Sequence, residues 1–226
     1  MNEILIVFIK TIKINMRKFI LLSTLLILIL AGCTKDTDRE NLEHLEYLKH
    51  QERSQVSIKE KARIAAHYCE ENNLNTNFCI LIDMSIHSGK KRFYVWDFKT
   101  NRIINSYMVT HGCCEGPWGE DASKSSIQFS NIEDSHCSSR GKYKIGERAW
   151  SSFGVHVKYV LHGLESTNSN AKDRHIVFHS WGMVSDEEVF PAGTPEGWGC
   201  PAISNNAFTE IDAYLKNSGP TLMWIY

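Results

Sequence analysis

Residues 78–109 read FCILIDMSIHSGKKRFYVWDFKTNRIINSYMV, and this stretch decides the class of fold. Phe78, Ile80, Ile82 and Met84 recur with period two, the spacing of one face of a β-strand. Ser88-Gly89 supplies turn chemistry, residues 93–98 are aromatic and β-rich, Thr100-Asn101 marks a second turn, and residues 103–109 form a third run. Three strands joined by short turns predict an antiparallel meander. Upstream, Ser57 and Glu60 have the spacing of a capping box, and Ala62, Ala65, Ala66 and Cys69 share one helical face before Asn72-Asn73. Downstream, residues 155–161 and 175–179 read as strands. Ser204 or Asn205 then caps a helix built on Phe208, Ile211 and Leu215, Asn217-Ser218-Gly219-Pro220 ends it, and residues 221–226 read as a closing strand. Residues 111–141 and 185–199 lack periodicity and are long enough to be functional loops. The expectation is one mainly β domain with an N-terminal and a C-terminal helix at its periphery.

With 226 residues, 42% hydrophobic and 23% charged, the chain has the composition of a folded globular protein carrying one main domain. The formal charge is −1, with 25 basic and 26 acidic side chains; residues 1–32 hold Lys10, Lys13, Arg17 and Lys18 against Glu3, which leaves 21 against 25 beyond them. An acidic domain argues against a nucleic-acid partner.

From Met16, Met-Arg-Lys gives a positive start, residues 19–30 an apolar run broken only by Ser23-Thr24, and Leu30-Ala31-Gly32-Cys33 a small-residue end. This is the layout of a secretory signal, and the run is shorter than the roughly 18–20 residues of a spanning helix. The last four residues resemble the lipobox of bacterial lipoproteins, which implies cleavage before Cys33 and lipid attachment to it. The expected organisation is a signal peptide over 1–32, with translation starting at Met16, a lipidated tether over 33–56, and the domain over 57–226.

Seven cysteines in an exported chain call for pairing or for chemistry. Cys200 stands in Gly197-Trp198-Gly199-Cys200-Pro201-Ala202, where the glycines let the backbone turn and leave N–H groups unobstructed beside a thiol. His179 ends the apolar run Ile176-Val177-Phe178, so a rigid strand would carry the imidazole needed to take the thiol proton, within about 4 Å of the sulfur. His162 is a rival base, 38 residues before Cys200 where His179 is 21, and His175 reads as structural. His111, Cys113, Cys114, His136 and Cys137 have a metal-ligand composition, but adjacent cysteines suit a closed tetrahedral site poorly. A disulfide from Cys113 or Cys114 to Cys137, and another between Cys69 and Cys79, is the preferred reading. Lys158, Arg174 and Arg148 are basic residues that can attract a carboxylate, although scattered surface cations need no such role.

In order along the chain, residues 80–97, Val109-Thr110-His111-Gly112, Phe129-Ser130-Asn131, Ser138-Ser139-Arg140-Gly141, Gly163-Leu164-Glu165, Arg174-His175-Ile176-Val177-Phe178-His179-Ser180 and Gly199-Cys200-Pro201-Ala202 resemble the murein L,D-transpeptidase catalytic-domain family, the YkuD-like enzymes that cross-link peptidoglycan. The resemblance covers roughly residues 78–226. It implies a β-sandwich or open barrel, Cys200 as acylated nucleophile, His179 as base, the Ser180 carbonyl as its orienting partner, and the N–H groups of Gly199 and Cys200 facing the oxyanion. It also implies peptidoglycan stem peptides as substrate, no metal and no organic cofactor. Trp181, Trp198, Ser138 and Ser139 are candidate substrate contacts, with Trp118 nearby. A monomer in the bacterial cell envelope, lipid-anchored and facing the periplasm or exterior, is the expected state. Two departures stand out: Gly197 where the family has Ser, and Ala202 where many relatives have Arg or Asn. A hydrolytic or D-amino-acid exchange enzyme and a non-catalytic wall-binding lipoprotein are the alternatives.

Overall fold

The computed structural model describes residues 58–226, so the expected signal, the tether and Ser57 of the capping box lie outside the described residues. A helix, α1, covers residues 58–71. Seven strands follow: β1 (Phe78–Ile82), β2 (Phe93–Asp97), β3 (Arg102–Tyr107), β4 (Gly141–Trp150), β5 (Val157–Gly163), β6 (Val177–Ser180) and β7 (Ala202–Ile203). Helix α2 (Asn205–Leu215) and β8 (Thr221–Ile225) complete the order. All eight strands form one sheet in the order β3-β2-β1-β8-β4-β5-β6-β7. The β1–β8 and β6–β7 pairs are parallel and the others antiparallel.

The sheet curls into a nearly closed barrel. Its β7 edge is met by the chain leaving β3: Thr110 N–H donates to the Ala202 carbonyl at 2.9 Å, and Gly112 bridges Gly197. Two extended segments far apart in sequence are thereby joined around the site described below.

The period of two in β1 separates two cores. Phe78, Ile80 and Ile82 pack with Phe178, Phe208 and Met223 on one face, while Cys79 and Leu81 pack with Ala62, Ala65, Leu222 and Trp224 on the other. All five residues of β1 are buried, as are all five of β8, because α1 covers one face of these central strands and α2 belongs to the core on the opposite face. Helix α2 begins where its sequence places it, with Ser204 Oγ accepting from Ala207 N–H at 3.1 Å.

Two strands depart from expectation. β4 carries Lys142, Lys144, Glu147 and Arg148, and its pairing with β5 shifts register between Ile145 and Arg148, so only Tyr143 and Ile145 face the core. β6 starts at Val177 and not at His175, which has φ of 55° and belongs to the preceding turn.

Phe208 is fully buried and packs against Phe178 at a ring separation of 4.9 Å. Phe208→Ala is expected to cost about 3–5 kcal/mol, read as a lower urea midpoint with an unchanged denaturant slope.

Candidate active site

Strand register assembles the site. β6 runs between β5 and β7 and pairs Lys158 with His179 and His179 with Ala202. Two residues back along each of the parallel strands, Cys200 comes level with Val177 and on the same face as His179. Val177 N–H donates to Cys200 Sγ at 3.3 Å. Cys200 and His179 line one open pocket together with Thr110, Phe153, Trp118, Trp181 and Trp198.

The backbone under Cys200 is fixed from several sides. Thr110 Oγ1 donates to the Cys200 carbonyl at 3.2 Å and accepts from Ala202 N–H at 3.0 Å. Gly197 N–H donates to the His111 carbonyl at 2.8 Å, and Cys113 N–H to the Gly197 carbonyl at 2.7 Å. Gly199 has φ of 95°, and a Cβ there would lie 2.5 Å from the Cys137 carbonyl oxygen, so both conformation and space require glycine. Gly197 is different: a Cβ there would meet no atom within 4 Å, and its backbone bonds hold the turn without a hydroxyl. Among the described residues, the N–H groups of Gly199 and Cys200 donate to no protein acceptor, which leaves both free for a ligand oxygen.

Behind this turn runs a buried chain of hydrogen bonds. Arg92 Nη2 donates to His111 Nδ1 at 2.9 Å, His111 Nε2 meets Ser123 Oγ at 2.6 Å, and Ser123 Oγ donates to Glu196 Oε1 at 2.9 Å. A guanidinium only donates, so Nδ1 accepts and the His111 proton sits on Nε2. The His111 pKa is pushed down to about 3 by burial and by the Arg92 charge, which keeps the ring neutral between a cation and a carboxylate.

His179 Nδ1 donates to the Ser180 carbonyl at 2.9 Å, which leaves Nε2 unprotonated and able to take a proton. Ser180 Oγ accepts from Val155 N–H at 2.9 Å and so holds the β4–β5 turn, from which the Phe153 ring packs on the imidazole at 5.0 Å.

Of the residues singled out in the sequence, Cys200, His179, Gly199, Trp181 and Trp198 come together here, with the Ser180 carbonyl on His179. Ser138 and Ser139 lie beneath the pocket wall. Both are buried: Ser138 Oγ accepts from Gly112 N–H and donates toward the Gly199 carbonyl, and Ser139 Oγ accepts from Arg174, so both brace the loops instead of lining the pocket. His162 is away from the pocket, its Nε2 bonded to Glu147 at 2.8 Å. Cys114 and Cys137 form a disulfide, while Cys69, Cys79 and Cys113 carry free thiols, so the expected Cys69–Cys79 bridge is not formed. The bridge, the Arg92–His111 pairing and the stacking of His136 on Trp198 commit four of the five residues of metal-ligand composition to other partners, and Cys113 keeps a buried free thiol. No hydrogen bond joins the Cys200 thiol to the His179 ring: the sulfur accepts from Val177 N–H at 3.3 Å and donates toward the His175 carbonyl at 3.8 Å. Arg92, Ser123, Glu196 and Phe153 went unnoticed in the sequence; Thr110 was visible only as a neighbour of His111.

Burial pushes the Cys200 thiol above its ordinary pKa, against the opposing pull of the Val177 N–H, Arg174 and Lys158. Burial also holds the His179 imidazole below its ordinary value, with the Ser180 carbonyl opposing and the Lys158 charge adding to the shift. The resting pair is therefore a neutral thiol beside a neutral imidazole.

Residues 49–226 match the family model of the L,D-transpeptidase catalytic domain. No curated protein matches the chain. Among solved structures, Bd1075 of Bdellovibrio bacteriovorus is similar at 17% identity and a TM-score of 0.41, covering 67% of this chain and 48% of its own. The L,D-transpeptidase of Xylanimonas cellulosilytica (residues 123–326) is similar at 12% identity and a TM-score of 0.39, over 66% of this chain and 60% of that one. The helical cell shape determining protein Pgp2 of Campylobacter jejuni is similar at 12% identity and a TM-score of 0.42, over 66% and 48%. The chain thus spans about half to three fifths of the length of these structures.

Alkylation of Cys200 by iodoacetamide, followed by peptide mass spectrometry across pH, is expected to rise only above the range of an ordinary thiol. His179→Ala is expected to leave that midpoint in place. A midpoint near neutrality that moves when His179 is removed would instead reveal a standing thiolate–imidazolium pair.

Proposed function

The chain belongs to the L,D-transpeptidase catalytic-domain family, and from that premise we propose that it is a cysteine-dependent peptidoglycan L,D-transpeptidase. The observation that carries the reading is the pairing of β6 with β7, which sets Cys200 and a His179 ring with an unprotonated Nε2 on one face of one pocket. The substrate is a stem tetrapeptide. As the Cys200 sulfur bonds to the carbonyl carbon of the third residue, its proton passes to His179 Nε2. The developing oxyanion meets the free N–H groups of Gly199 and Cys200, donors each worth on the order of 3 kcal/mol in such sites. Collapse breaks the C–N bond, and the imidazolium returns its proton to the departing amine of D-alanine. An amine of another stem then attacks the thioester with His179 as base, which restores the thiol and leaves the new amide.

A neutral resting pair fits this scheme. The thiol is deprotonated only as bond formation proceeds, and contacts of nucleophile and base often tighten only with substrate bound. The rim also fits: Trp118 is 50% and Trp198 60% exposed, and Trp118 stands 5.1 Å from Trp181, an array of aromatic faces suited to a glycopeptide. Gly197 does not by itself argue for a non-catalytic protein, since backbone hydrogen bonds already hold its turn.

Incubated with tetrapeptide muropeptides, the protein is expected to release D-alanine and carry an acyl group on Cys200, both seen by mass spectrometry. Cys200→Ala should abolish both, and His179→Ala should slow acylation about 10²- to 10⁴-fold. A product lacking only D-alanine would identify water as acceptor and a carboxypeptidase; sacculus binding with no adduct would identify a non-catalytic wall protein. On the reading of residues 16–33, we also propose a lipid anchor on Cys33. Fractionation of cells producing Cys33→Ala should then find the domain released from the membrane pellet.

A further inference from the structure

Lys158 is unaccounted for by this chemistry. It is partly buried, and among the described residues it takes part in no ion pair. Register makes it the direct cross-strand partner of His179, in a row that runs Ala149, Lys158, His179, Ala202 over one face of four strands. Directly opposed residues have Cβ atoms roughly 4.5–5.5 Å apart and point the same way. Its neighbours in that row are Ala149 and His179, neither of which carries a negative charge to neutralise it.

The other nearby cation is committed elsewhere. Arg174 donates to the carbonyls of Ser130 and Cys137 at 2.9 and 2.7 Å and to the hydroxyls of Ser135 and Ser139, bracing the 130–139 loop. The pocket wall itself, formed by Thr110, Phe153, the tryptophans, Gly197 and Ala202 around the two neutral reacting groups, carries no fixed charge, and Lys158 stands one strand away from it beside His179. An anionic group of the substrate would therefore find one available partner.

Where that anion lies follows from the reaction. His179 Nε2 must reach the amine that departs. In a C-terminal amino acid the carboxyl carbon sits about 2.5 Å from that nitrogen, across one Cα. The carboxylate is thus confined to within a few ångströms of the imidazole, on the face that Lys158 shares. The charge of Lys158 is already felt by both His179 and Cys200, so its ammonium lies within electrostatic reach of both reacting groups.

We propose that Lys158 recognises the free C-terminal carboxylate of the acyl donor and so restricts cleavage to the last peptide bond of the stem. The inference rests on the acyl-transfer reading above. It gives the site a chemical reason to release single amino acids, since a chain continuing past the cleaved residue would bury the ammonium against an uncharged amide.

The test compares two donors, a stem tetrapeptide ending in free D-alanine and the same peptide ending in D-alaninamide, by the rate of Cys200 acylation. The parent protein should prefer the free acid by roughly 10- to 100-fold, the range of a charge-assisted contact. Lys158→Gln should bring the acid-to-amide ratio close to one, and Lys158→Arg should keep most of the preference. Iodoacetamide alkylation of Cys200 in Lys158→Gln should shift to higher pH, because the ammonium lowers the thiol pKa; that change acts on both donors alike and cancels in the acid-to-amide ratio. An unchanged acid-to-amide ratio in Lys158→Gln overturns the proposal, as does a parallel loss with both donors that leaves the ratio where it was. If the parent acylates with neither donor, the acyl-transfer reading fails and the role of Lys158 fails with it; a parent that acylates both donors equally overturns the role of Lys158 alone.

Discussion

The junction between residues 110–112 and 197–202 governs the rest of the molecule. Thr110 bonds to both sides of the nucleophile turn, and Gly112 and Gly197 run in parallel beside it. Neither segment has the length or apolar content to be a stable strand alone. Each is held because the other satisfies its backbone groups, and because the Arg92–His111–Ser123–Glu196 chain ties their flanks together in the interior. A fully buried guanidinium and carboxylate are tolerable because a neutral imidazole and a hydroxyl carry the interaction between them. That buried polar link fixes where the thiol emerges and therefore which groups it can meet.

Around this junction the sheet divides labour by face. The central strands β1 and β8 are buried on both sides and supply rigidity. β5, β6 and β7, toward one edge, present one face to the pocket and the other to the core, as Phe178 and His179 illustrate by pointing opposite ways. The loops then finish what the strands begin: residues 130–139, pinned by Arg174 and by the Cys114–Cys137 bridge, support Gly199 from below, and the β4–β5 turn lays Phe153 on the imidazole.

Much of this was legible in the residues. The period-two pattern of 78–109 corresponds to β1–β3, and the spacing of Phe208, Ile211 and Leu215 corresponds to α2, because burial on one face leaves a clear signature. β4 was not legible, since its four charged residues and register shift leave only Tyr143 and Ile145 as apolar markers. β7 was not legible because two residues have no period. At the site, Cys200 and His179 could be named from local context and family resemblance. The buried chain behind them could not, because Arg92, Ser123 and Glu196 look like ordinary surface residues until tertiary structure brings them together. Ser138 and Ser139 mislead for the converse reason: hydroxyls beside a motif suggest ligand contacts, yet burial turned them toward the backbone.

One property of the sheet bears on how the chain reaches this state. β1 and β4 touch β8 on either side, so the first half of the sheet is joined to the second through a strand that follows every other strand in the sequence. The seams that β1 and β4 make with β8 therefore stay open until residues 221–225 are in place. Assembly is thus intrinsically late and dominated by long-range contacts.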